Sequence, residues 1–282
     1  MKKQERSENV VAIIGWYAFL SVLAVLFLFP IVIVVINSFK GKFYISDAPF
    51  RLPDATTFVG LENYIAGMEK TGILAAFGWS LFITVGSVAL IVVATAMTAW
   101  YLVRVKTIWT EILYYLFVFS MIVPFQMVMF TMSKVANMLY LDNPLGLIGI
   151  YLGFGSGLSV FLFSGFVKSI PIAMEEAAMI DGAGPIQTFF RVIFPVLKPT
   201  AVTVAILNAM WIWNDYLLPY LVIGSDYRTI PIAIQYLKGG YGSIDMGAMM
   251  AMLVLAIIPI VVFYLSCQKY IVKGVAAGAV KG

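Results

Sequence analysis

The side chains able to do chemistry are few in this apolar sequence, and they gather at three places. Glu175, Glu176 and Asp181 stand close together. Asn214 and Asp215 lie inside an apolar run with Trp211, Trp213, Tyr216 and Tyr220, and Gly155-Ser156-Gly157 offers a hydroxyl between two glycines. Three carboxylates are the ligand type of a hard cation. Here they sit on a solvated helical segment closed by a glycine, and no metal site is expected. A serine nucleophile needs a base, but the chain contains no histidine. That removes the commonest general base, the Ser–His pair and any His-containing metal site. The glycines around Ser156 are better explained by helix packing. No G-x-x-x-x-G-K-[ST] phosphate loop occurs, so ATP hydrolysis by this chain is not expected. A single cysteine, Cys267, cannot close an intrachain disulfide. No catalytic residue and no cofactor of the chain's own are expected.

The elements that position these residues are set by composition. With 282 residues, 62% hydrophobic and 11% charged, the chain cannot clothe a soluble globule, and it reads as an all-α membrane protein. Apolar runs of spanning length, about 20 residues each, lie near 11–36, 74–103, 112–132, 145–166, 200–223 and 247–267. Six transmembrane helices in one membrane domain, residues 1–282, are expected. Pro30, Pro124, Pro219 and Pro259 fall inside these runs and should kink them. The first run is too long for a signal-peptide core and should remain as an anchor. The net charge of +4 reflects basic residues at helix ends, which reads as topology rather than as a nucleic-acid surface. Lys2, Lys3, Arg6, Arg104, Lys106, Lys168, Arg191, Lys198, Lys269, Lys273 and Lys281 would share one side. They outnumber the opposite set, so both termini and the loop 169–199 are expected in the cytoplasm.

Within that loop, Glu175–Ile180 has helix-forming composition after Pro171, Asp181-Gly182 stops the helix, and Pro185 restarts it in a new direction. The result is a short helix, a sharp turn and a second short helix. Asp215 lies about 22 Å along a fifth span begun at Thr200, in the outer half of a core about 30 Å thick. Two roles fit it: capping or cross-linking helices, or hydrogen-bonding a polar solute or holding a gate together with Asn214, while Trp or Tyr rings stack on that solute. Gly149, Gly153 and Gly157 recur four apart, a spacing that lets helices approach closely. Leu61, Tyr64, Ile65 and Met68 recur at helical spacing, which predicts a short amphipathic helix at the outer interface.

Glu176-Ala177-Ala178, Asp181-Gly182-Ala183, Phe189, Pro195 and Pro199 closely resemble the EAA loop of bacterial ABC importer permeases, and Gly274–Gly282 resembles the tail of their maltose-type sugar branch. The resemblance covers nearly the whole chain. It implies a type I importer permease fold and a permease subunit that moves a sugar or oligosaccharide across the bacterial inner membrane. It also implies a second, related permease, two ATPase subunits or domains that hold ATP and Mg, and an extracellular solute-binding protein, with membrane lipid around them. By resemblance, Glu175, Glu176, Ala177, Ala178, Asp181, Gly182, Ala183, Gly184 and Phe189 would couple to the ATPase. In the tail 268–282, Gly278, Ala279, Val280, Lys281 and Gly282 would reach it. Trp211, Trp213, Asn214, Asp215 and Tyr216 are the candidates for substrate or gate. From a different class, an ion-coupled secondary transporter with Asp215 as the coupling acid is the alternative, although paired discontinuous helices are not visible in the sequence.

Overall fold

The computed structural model describes residues 2–237 and 244–279; among them the regular elements are all helices, joined by turns and loops, with one isolated bridge between Lys40 and Phe58. Val280, Lys281 and Gly282 of the expected tail, and Lys238, lie outside the described residues. In chain order the helices are α1 (Lys2–Ser38), α2 (Lys42–Asp47), α3 (Glu62–Thr71), α4 (Ile73–Arg104), α5 (Ile108–Ser120), α6 (Phe125–Met138) and α7 (Pro144–Val167). There follow α8 (Ala173–Ile180), α9 (Pro185–Thr188), a π turn (Phe189–Ile193), α10 (Phe194–Val196), α11 (Lys198–Asn214), α12 (Leu217–Ile223), α13 (Ile230–Gln235) and α14 (Met246–Ala279). Residues 268–279, expected as a tail, continue α14.

Among the described residues four segments, Ile13–Ser38, Ile73–Arg104, Pro144–Val167 and Met246–Tyr270, are long and apolar enough to cross a membrane. The count reaches six if each of two bent pairs is one span. One pair is α5 with α6, bent by 106°, so the apolar run 112–132 is not a continuous helix. Pro124 is the cause: it adopts an extended conformation at the cap of α6 and has no N–H to continue α5. The other pair joins Pro185–Val196 to α11 at 79°. The run 200–223 is interrupted as well, because Asp215 is extended (ψ 127°) between α11 and α12. Pro124 and Pro219 thus fall at or just after breaks instead of kinking continuous helices, whereas Pro30 and Pro259 lie inside theirs. Discontinuous helices invisible in the hydropathy are therefore present.

By contacts the chain forms two compact units: residues 1–73 with 234–258, and residues 74–233 with 259–282. In the first, Asn63 donates to the carbonyls of Ser38 and Lys40, both at 2.8 Å, and Tyr64 shares a hydrogen bond with Ser38. Gly67 lies against Met252, where any Cβ would collide with the methionine side chain. Leu61, Ile65 and Met68 are turned outward, which gives α3 the exposed apolar stripe its spacing predicts. Lys40 is buried with its Nζ on the Ala48 carbonyl at 2.9 Å; burial, then the charge of Arg51, lowers its pKa. Asp54 accepts from the hydroxyls and amides of Thr56 and Thr57, and these bonds, those of Thr56 foremost, bring its carboxyl down to about 2.

In the second unit α5 and α11 pack on α7, and Ile83, Ile91, Ala96 and Ala99 of α4 join the same core. Asn143 caps α7 by accepting from the amides of Leu145 and Gly146, and Pro144 opens the helix where no intrahelical N–H is needed. The buried face of α7 carries Tyr151, Gly155 and Ser159 one turn apart; in the first turn Gly146 lies against the Leu141 backbone, and farther along the close approaches are at Gly155 and Gly157. A Cβ on Gly155 would stand 2.7 Å from Ile91 Cδ1 and 2.8 Å from Asn208 Oδ1. Gly149 and Gly153 have open space instead. Of the three glycines spaced four apart, only Gly157 marks a contact, because the packed face runs through Tyr151 and Ser159 and turns Gly149 and Gly153 outward.

Candidate functional site

The acidic stretch resolves into a rigid turn with an inner anchor and an outer apolar tip. Helix α8 ends in a Schellman closure: the Gly182 amide donates to Met179 at 3.0 Å and the Ala183 amide to Ala178 at 2.9 Å. Gly182 holds φ +83°, a conformation that costs an L side chain about 1–2 kcal/mol. Pro185 then opens α9. Beyond it, Pro195 has no N–H for the carbonyl four residues back, and the preceding backbone widens into a π turn closed by the Phe194 amide on the Phe189 carbonyl.

Glu175 is buried, not solvated as expected, and its carboxylate faces α4. One oxygen accepts from Trp100 Nε1 at 3.0 Å, the other from Arg104 Nε at 2.8 Å and from its terminal nitrogen at 2.7 Å. Arg104 also donates to the Ile170 carbonyl at 2.9 Å. Phe189, fully buried, packs on Trp100 and on Phe190 and Phe194. Both ends of the turn are thereby fastened to the last turns of α4. The acids therefore divide: Glu176 and Asp181 point outward while Glu175 does not. The outer tip is apolar, with Ile180 86% and Ile186 68% exposed, flanked by exposed Ile172 and Met179. Ala177 and Gly184 are exposed and small, while Ala178 and Ala183 are half-buried.

The second candidate region is a polar seam between α7 and α11. Asp215 accepts from the Tyr151 hydroxyl at 3.0 Å and, through its other oxygen, from the Leu217 amide at 3.1 Å. It therefore cross-links α7 to the start of α12 and caps it, the first of the two roles open to it. Trp211 meets the Tyr151 ring edge-on, Trp213 meets Phe77, and Tyr216 stacks on Tyr220. Asn214 donates to the Met210 carbonyl one turn back. Deeper along the seam, buried Asn208 donates to Ser159 Oγ at 3.1 Å.

Trp100, Arg104, Tyr151 and Asn208 are the functional neighbours that sequence reading missed. Arg104 counted only as a topological charge, and its partner lies in a distant segment. Asn208 carried a usable signal, since a lone amide within an apolar run needs a partner.

Residues 91–277 match the family described as binding-protein-dependent transport system inner membrane component. Among curated relatives, the probable starch degradation products transport system permease protein AmyC of Thermoanaerobacterium thermosulfurigenes is 40% identical, covering 92% of this chain and 94% of its own. The multiple sugar-binding transport system permease protein MsmG of Streptococcus mutans is 35% identical over 100% of both chains. The fold is similar to a chain of a bacterial ABC transporter that imports the acidic polysaccharide alginate. The TM-score is 0.75 at 21% identity, covering 94% of this chain and 98% of that one.

Proposed function

The chain belongs to the family of binding-protein-dependent transport system inner membrane components, in its sugar-permease branch, and from that premise we propose how it works within an importer. It is the transmembrane subunit through which a sugar or oligosaccharide enters the cell, with ATP and Mg held by a separate ATPase. A second permease, two ATPase subunits or domains and an extracellular solute-binding protein complete the assembly. Both termini and the α8 turn face the cytoplasm of a bacterial inner membrane. The relatives named for sugar transport support the substrate class.

The observation that carries this reading is the doubly fastened turn. The Glu175–Arg104–Trp100 bonds and the Phe189–Trp100 contact make α8 an extension of α4, so that a push on the tip moves the span. Exposed Ile180 and Ile186 supply an apolar knob for a cleft on the ATPase, and Glu176 an outward charge. A loop that merely joined two spans would not need a left-handed cap and a buried ion pair to hold such a tip in place.

Purification of the tagged chain from its native membrane in gentle detergent tests this. The wild type should bring an ATPase and a second permease. Ile180→Asp should lose the ATPase and keep the permease, because its side chain is almost fully exposed and contributes little to the fold. Retention of the ATPase at the wild-type ratio would contradict docking through the tip.

A further inference from the structure

Where α4 ends, α5 begins and α7 ends, a cavity of about 850 Å³ opens beside the anchored turn, within the range of about 300–1,000 Å³ usual for small-molecule sites. Its charged lining is Arg104, Lys106, Lys168 and Glu111. Arg104 is committed to Glu175 and the Ile170 carbonyl, while Lys106 and Lys168 form no ion pair among the described residues. The Lys168 ammonium lies 5.6 Å from the centre of the Tyr114 ring, which also lines the cavity. Ser164, fully buried in the same wall, has a hydroxyl with no hydrogen-bond partner. A serine in a helix ordinarily bonds the carbonyl one turn back, and this one does not. The wall continues into Ile108 and Tyr115, and neighbouring Trp109, Ile112 and Leu116 are exposed and apolar.

We propose that this cavity binds an anionic phospholipid: Lys106, Lys168 and the Ser164 hydroxyl hold the headgroup, and the acyl chains lie on the exposed face of α5. Two uncommitted cations against one carboxylate leave a net positive site, and basic pockets at helix ends suit acidic headgroups. The apolar rim distinguishes a lipid from free phosphate, which would leave it in water. The proposal rests on the functional reading only in placing these helix ends at a membrane face; ATP-driven transport is not required. Because the site adjoins Arg104, an occupied headgroup also sits next to the anchor of the turn.

Native mass spectrometry of the full chain, with whatever partners co-purify, released from nanodiscs of phosphatidylglycerol and phosphatidylcholine, tests the site. The wild type should retain phosphatidylglycerol in preference. Lys106→Gln with Lys168→Gln should reduce retention about thirty-fold, and the charge-matched control Lys42→Gln with Lys134→Gln should not. Ser164→Ala, which changes no charge and breaks no hydrogen bond within the chain, should also reduce it. Short-chain phosphatidylglycerol should compete, and inorganic phosphate at the same concentration should not. Undiminished retention in both the double variant and Ser164→Ala would overturn the proposal, as would equal displacement by inorganic phosphate. Absence of an ATPase from the preparation would count against the importer reading and leave this measurement intact.

Discussion

Replacing Glu175 by alanine should loosen the α8 turn without unfolding the spans. The carboxylate accepts from Trp100 at 3.0 Å and Arg104 at 2.8 Å, and the pair is 17% and 6% exposed at arginine and glutamate. Removing one partner of a buried pair costs about 3–5 kcal/mol, because the other charge is stranded. Arg104 keeps the Ile170 carbonyl and some solvent, which argues for the lower end. About 3 kcal/mol is roughly a hundred-fold in the local opening equilibrium. Hydrogen exchange of peptides covering 173–183 should accelerate by about that factor, while peptides from α7 stay unchanged. Glu175→Gln, which retains an acceptor oxygen, should cost less. Unchanged exchange of the turn in Glu175→Ala would refute the anchoring argument.

Other consequences follow from the same geometry. Gly155→Leu should lower thermal stability in detergent by about 1–3 kcal/mol through overpacking against Ile91 and Asn208, whereas Gly153→Leu, facing open space, should leave it unchanged. Tyr151→Phe should weaken the α7–α12 link by about 1–2 kcal/mol, read as a lower melting temperature, and Asp215→Asn should preserve more of it. Burial opposes ionisation of Asp245, but the hydrogen bonds of Lys70 and the Ala248 amide and the nearby lysine charges outweigh it and hold its carboxyl below the usual range. Its stabilisation is complete above the unfolded carboxylate pKa, about 4, and is lost as pH falls through the lower folded value. Exchange at the end of α3, corrected for intrinsic rate, should therefore rise in acid, and Asp245→Asn should abolish the acid dependence.

What the sequence made legible was local. Gly182 after Asp181, with Pro185 close behind, announces a capped turn because glycine conformation and proline geometry act over a few residues. The direction in which each acid points was not legible. Glu175 and Glu176 are neighbours of one type, and which one faces inward depends on α4, reached through Trp100 and Arg104 far away in the chain. Hydropathy also hid the break before Pro124, since the residues on both sides are apolar whether or not the helix continues. The glycine spacing misled for a related reason: a recurrence of four marks a face, and only packing decides whether Gly153 or Gly155 lies against a neighbour.

The most direct test of the account is sugar uptake by proteoliposomes reconstituted with the co-purified assembly, comparing internal ATP on the ATPase side with an imposed proton or sodium gradient. Uptake should require ATP and the solute-binding protein, be lost in Ile180→Asp, and not respond to the gradient alone. Gradient-driven uptake by this chain without ATP, abolished by Asp215→Asn, would contradict it and establish an ion-coupled transporter instead.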